Sequence, residues 1–128
     1  MKIVLDTTIL VRANEHTKGL LSNEMLHELA KVLRYPRLQM FYDLSENLVF
    51  DYVDFLRRSS EIVILDPLVI TPIRDANDII VTQTAIIGEA NILCTKDEDF
   101  FESPANEYLN KLDIEVLDDV DLMHRLRM

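Results

Sequence analysis

Four carboxylates, Asp6, Glu28, Asp78 and Asp97, stand where an α/β fold can bring them to one edge of a sheet. Asp6 closes the apolar run Met1-Lys2-Ile3-Val4-Leu5, and Asp97 follows a second run, Ile92-Leu93-Cys94-Thr95-Lys96. Asp78 opens a helical stretch and Glu28 lies within another. In an open parallel sheet, ligands collect beyond the carboxyl ends of the strands. Carboxylates gathered there repel one another unless a cation joins them. The pattern therefore points to bound Mg2+ or Mn2+, and hence to phosphate chemistry. Asp6 and Asp97, at strand ends, are the expected direct ligands. Glu28 and Asp78 would complete the pocket directly or through water, and Asp99 is a fifth candidate.

Each acid also has a plain structural reading. Asp at a strand end often caps the next helix, and Asp78 at a helix start suits the helix dipole. Glu28 alone would read as a solvated helix residue. Asp97 can serve a turn, and Asp75 reads as a turn or cap residue rather than a ligand. His16, His27 and His124 have no metal-binding spacing. Cys94 reads as a small buried hydrophobe. Arg34 and Arg37 read as solvated surface, and Arg57-Arg58 as a helix-end pair favoured by the dipole. Tyr35, Phe41, Tyr42 and Phe50 read as core or dimer contacts rather than as a base-stacking platform. Thr7, Thr8 or Thr95 could hydrogen-bond a carboxylate, a water or a phosphate.

The elements that must position these groups follow from periodicity. Residues 2–5 read as a short buried strand. Residues 23–33 read as a helix capped by Ser22 or Asn23, with Met25, Leu26, Leu29, Val32 and Leu33 on its apolar face and Glu28 at the edge of that face. Pro36 ends it by disfavouring helical geometry at Tyr35. Residues 46–58 read as a second helix capped by Ser45, and 61–65 as a strand. Pro67 and Pro72 punctuate an irregular link. Residues 78–87 read as a helix stopped by Gly88, 91–95 as a strand, and 113–117 as a last strand. Asp118 or Asp119 would cap a terminal helix reaching about Leu126. Strands alternating with helices predict an α/β domain with a mainly parallel central sheet flanked by helices.

Composition narrows the function classes. The 128 residues fit one domain, 1–128, and 48% hydrophobic content is enough for a core at this length. The formal net charge of −10 argues against a nonspecific polyanion binder, which would cluster Lys and Arg. With only two glycines there is no Gly-rich phosphate loop. No apolar run is long enough to span a membrane, and no signal-type leader is evident, so a cytoplasmic location is the default expectation. One cysteine cannot form an intramolecular disulfide.

Four stretches together resemble the PIN-domain nucleases, particularly the small VapC-like toxin branch. Residues Ile3-Val4-Leu5-Asp6-Thr7-Thr8-Ile9-Leu10 look like the family's first strand and its catalytic aspartate. The run from Ser22 to Leu33 resembles the helix that carries an acidic residue, here Glu28. The run from Arg74 to Ala85 resembles the third acidic motif, with Asp78 heading the helix. Thr95-Lys96-Asp97-Glu98-Asp99-Phe100 resembles a Thr-x-Asp-x-Asp-Phe motif. The resemblance implies a PIN-like three-layer sandwich and Mg2+- or Mn2+-dependent hydrolysis of RNA. It also implies a toxin–antitoxin role, an antitoxin that covers the pocket, and a homodimer. One departure is clear. Family members carry a helix and a second strand between the positions of Asp6 and Glu28. Here the segment between residues 12 and 22 is shortened, and Leu20-Leu21-Ser22 is what remains of the strand. That departure favours a rival reading, a catalytically inactive PIN-like module acting through protein contacts. A phosphoacceptor receiver domain is a third possibility, for which Asp66 and Lys96 fit poorly.

Overall fold

A computed structural model describes residues 1–5, 18–66, 71, 73 and 75–127, with Lys18 and Phe41 described by backbone only. Five strands form one all-parallel sheet: β1 (Lys2–Leu5), β2 (Lys18–Ser22), β3 (Glu61–Val63), β4 (Ile92–Cys94) and β5 (Glu115–Leu117). Their spatial order is β3-β2-β1-β4-β5, so the chain reverses its direction of travel across the sheet between β1 and β4. In that central pair Ile3 faces Ile92, Val4 faces Leu93 and Leu5 faces Cys94. The helices are α1 (Asn23–Leu33), α2 (Pro36–Phe41), α3 (Glu46–Ser59), α4 (Ala76–Ile87), α5 (Ala105–Lys111) and α6 (Asp119–Leu126). The expected α/β architecture, a parallel sheet flanked by helices, is what the chain forms.

Strand alternation splits the core between the two sheet faces. Val4, Leu20, Leu93 and Val116 join Met25 of α1, Val81 and Ala85 of α4 and Leu109 of α5 in the larger cluster. Ile3, Ile92 and Cys94 point the other way and pack with Leu122 of α6. Cys94 is buried, as a small hydrophobe would be. No helix among the described residues is long and apolar enough to cross a membrane.

Caps set most helix starts as the sequence implies. The hydroxyl of Ser22 accepts from the Met25 amide, that of Ser45 from the Leu48 amide, and a carboxylate oxygen of Asp118 from the Asp121 amide. The departures have local causes. β3 stops at Val63 rather than at residue 65, because its partner β2 stops at Ser22, opposite Val63, and Ile64 is already 75% exposed. β5 begins at Glu115, because Asp113 has φ 60, a left-handed conformation that no strand residue holds. β4 spans 92–94, one residue shorter at each end than expected. β2 is a full strand from Lys18, longer than the three-residue remnant expected. Pro36 does end α1, and it also opens α2 at the first helical position, where a missing N–H costs nothing. Of the shortened stretch between residues 12 and 22, β2 covers Lys18–Ser22, and residues 12–17 lie outside the described residues.

Gly88 ends α4 for a steric reason rather than a conformational one. Its φ is −77, and the left-handed residue of this turn is Glu89, at φ 54. A Cβ on Gly88 would lie 2.8 Å from Leu20 Cδ1, 2.9 Å from the Thr84 carbonyl oxygen and 2.9 Å from Val63 Cγ2. The bare backbone lets α4 close onto β2 and β3. Gly88→Ala should therefore destabilise the protein by about 1–3 kcal/mol, the range for overpacking, despite the better helix propensity of alanine. Urea unfolding measures it, and a neutral or stabilising outcome would show that the helix does not sit this close.

Candidate metal centre

Two structural joints bring acids together at the carboxyl ends of β1 and β4. The first fixes α4. Asp75, not Asp78, is its N-cap: one Asp75 carboxylate oxygen accepts from the amides of Asn77, at 2.9 Å, and Asp78, at 3.1 Å. The helix thus starts two residues before the expected residue 78, and Asp78 stands in its first turn, partly exposed. Deeper in, the Thr84 hydroxyl donates to the Ile80 carbonyl, at 2.8 Å, and lies 3.0 Å from the Ser22 hydroxyl. Both side chains are fully buried, so this contact pins α4 to the end of β2 and the start of α1. Nothing in the sequence marked Thr84; only its position opposite Ser22 in the folded chain gives it a role.

The second joint is the turn after β4. The Thr95 amide donates to the Leu117 carbonyl, continuing the ladder to β5. The Thr95 hydroxyl, fully buried, accepts from the Asp97 amide at 3.0 Å. Asp97 Oδ1 then accepts from the Asp99 amide at 3.0 Å and caps a 3-10 turn, Glu98–Phe101. Phe100, 1% exposed, anchors that turn in the core, and the Asn106 side chain of α5 donates to its carbonyl. Lys96 points away to α6, where its ammonium pairs with Asp119 at 3.2 Å. The hydrogen bond and charge of Lys96 hold the Asp119 carboxyl below its ordinary range.

These joints bring Asp78, Asp97 and Asp99 together. Each offers a carboxylate oxygen, and the three oxygens lie within 4.8 Å of one another. Asp78 and Asp97 are partly buried and Asp99 is exposed. Near this separation two carboxylates repel by about 1 kcal/mol through water and about 4 kcal/mol at an effective dielectric of 20. A divalent cation would reverse that sign, and an all-oxygen donor set suits a hard ion such as Mg2+ or Mn2+. Asp97 fills its turn reading with one oxygen, and a carboxylate has a second.

Of the other expected ligands, only Glu28 falls among the described residues. Glu28, half-buried on α1, is not part of the trio and lines the groove between α1 and α3. Asp6 follows Leu5, the residue of β1 that pairs with Cys94, and lies outside the described residues together with Thr7 and Thr8. Thr82, four residues after Asp78 on the same side of α4, went unread in the sequence. Its buried hydroxyl has no hydrogen-bond partner among the described residues. Comparison with family models, curated proteins and solved structures returns no match to this chain.

The Thr95 hydroxyl sets the direction in which Asp97 leaves the sheet. Thr95→Val keeps the shape but strands the Asp97 amide, so stability should fall by about 1–3 kcal/mol. Chemical denaturation reads this directly, and an unchanged midpoint would mean that the turn is held by Phe100 alone.

Proposed function

We propose that this chain is a Mg2+- or Mn2+-dependent endoribonuclease of the PIN type, acting as the toxin of a toxin–antitoxin pair in the cytoplasm. The observation that carries the reading is the convergence of Asp78, Asp97 and Asp99 beyond the end of β4, the strand paired with β1 where the strand order reverses. Ligands of doubly wound sheets bind at this switch point. Asp78, Asp97 and Asp99 would hold the cation, with Asp6 as the further ligand its sequence position offers and Glu28 reaching the pocket through water. Bound there, such an ion polarises a phosphate oxygen and lowers the pKa of a water. The chain's own part is to keep the acids in register. Asp75 caps α4 and so fixes the helix turn that carries Asp78, and Thr95 aims Asp97.

A second reading, a PIN-like module acting through protein contacts, draws on a separate observation. Met40 and Tyr42, at the end of α2, and Leu48 of α3 are strongly exposed, Met40 at 82%. Such surface suits an antitoxin or a second copy of the chain. In the nuclease reading these partners are additional to the RNA substrate.

Asp97→Asn separates the catalytic reading from the structural one. Asparagine caps about as well as aspartate, so the turn should survive. The charge that a hard cation needs is lost, so cleavage of mixed RNAs at saturating Mn2+ should fall by a factor of at least about 100, or about 2.7 kcal/mol. Unchanged melting by circular dichroism with abolished cleavage is the expected pair of results. Full activity would remove Asp97 from the site.

Mn2+ should also raise the melting temperature of the wild-type protein. An ion at 100 times its Kd adds about 2.7 kcal/mol, or roughly 10 °C at this chain length. Asp78→Asn/Asp97→Asn should abolish most of that rise. Equal shifts in both proteins would place the ion elsewhere.

A further inference from the structure

Lys96 sits between the two residues that build the turn after β4: Thr95, whose hydroxyl accepts from the Asp97 amide, and Asp97 itself. A lysine ammonium rides on a flexible stem. The next residue, Asp97, belongs to the one grouping of three acids within 4.8 Å among the described residues. Lys96 instead pairs with a single carboxylate on another element. Its Nζ lies 3.2 Å from Oδ2 of Asp119, in the first turn of α6. Alternation begins this separation. Cys94 packs on the α6 face of the sheet, and Lys96, two residues on, leaves the strand end toward that face. Alternation does not complete it, because the Lys96 side chain is 62% exposed and packing alone does not fix its ammonium. The carboxylate fixes it, and the carboxylate stands on a firm post. Leu122 buries α6 against the sheet, and Arg125 pairs with Glu115 of β5 through hydrogen bonds of 2.8 and 2.9 Å. Asp119 is not needed as the cap of α6, since Asp118 accepts from the Asp121 amide. An acid here suits the helix dipole, and an exposed ion pair adds little stability, so the consequence of this pair lies in where it puts a charge.

We propose that Asp119 is a positioning residue that holds the Lys96 ammonium out of the cation site. The proposal rests on the metal-dependent reading of the acidic trio and extends it to a residue on a separate helix. Released from Asp119, the ammonium is left with Asp97, Glu98 and Asp99 as the carboxylates nearest in sequence. Pairing with Asp97 or Asp99 would relieve the repulsion that draws a divalent ion to the trio, and the ion would then have to displace it. Asp119 removes this competitor without spending any of the trio's own charge, because it is not one of the three. The pair thus keeps a cation of the chain itself from standing in for the bound one.

The test is Mn2+ affinity, read as free Mn2+ by electron paramagnetic resonance, in Asp119→Asn, Lys96→Met and the double variant, with folding checked by circular dichroism. Asparagine keeps an acceptor oxygen at the helix start and loses only the charge, so α6 should hold. Asp119→Asn should weaken Mn2+ binding about 3- to 10-fold, the effect of one unit charge brought close to the site at an exposed position. Lys96→Met should stay within about twofold of wild type, because its ammonium is already held away, and it should cancel the loss in the double variant. Unchanged affinity in Asp119→Asn would overturn the proposal and leave the cation site standing. So would a Lys96→Met protein that binds tighter by the factor that Asp119→Asn loses, because the two charges would then act independently through solvent. A metal-free arm covers a chain that takes no Mn2+. In EDTA, the side-chain carboxylate 13C signals of Asp97 and Asp99 should shift in Asp119→Asn and return in the double variant. That shift, with no Mn2+ binding by the wild type, would support the hold on Lys96 and end the cation reading. No shift would overturn the hold.

Discussion

The pairing of β1 with β4 is the constraint on which everything else depends. Neighbours in the sheet, these strands are separated in sequence by β2, β3 and four helices. Once Val4 faces Leu93 and Leu5 faces Cys94, two segments about ninety residues apart must end side by side. The turn after β4 therefore leaves the sheet beside the end of β1, and its acids meet the first turn of α4. Parallel pairing of this kind is satisfied only when both faces are covered. The split of the core supplies the cover: α1, α4 and α5 on one face, α6 on the other. The site is a by-product of this closure. Its acids come from a helix start and a turn that the sheet brings together.

Much of the architecture could be read directly from residue order. Short apolar β-branched runs marked β1 and β4, and capping residues marked α1, α3 and α6, because those signals are local. What local signals could not show is partner-dependent. The end of β3 is fixed by the length of β2, and the close approach at Gly88 is fixed by Leu20 and Val63. Two short helices, α2 and α5, lack side-chain caps and left no clear start signal.

The candidate site was legible to a similar degree. Asp78 and Asp97 were singled out from their places at a helix start and beyond a strand, and the structure brings them together with Asp99. Glu28 was selected by its place beside an apolar helix face, which says that it is near the core but not which neighbour it meets. It lines the groove rather than joining the trio. The division of labour between Asp75 and Asp78 was half visible. Asp75 was read as a cap, yet the helix was started at Asp78, because an Asp at either position suits a helix dipole. Thr84 and Thr82 carried no signal, since threonine in a helix has many uses.

The claim at the centre of this account is that Asp78, Asp97 and Asp99 form one cation site. Paramagnetic broadening tests it most directly. Mn2+ titrated into the 15N-labelled protein should erase the amide signals of residues near Asp78 and of the turn from Thr95 to Phe100 first. Those around the exposed Glu89, beyond the far end of α4 from Asp78, should persist at the same concentration. Broadening that begins at Glu89, or that spreads evenly over all exposed acids, would contradict a single cation site at these three residues.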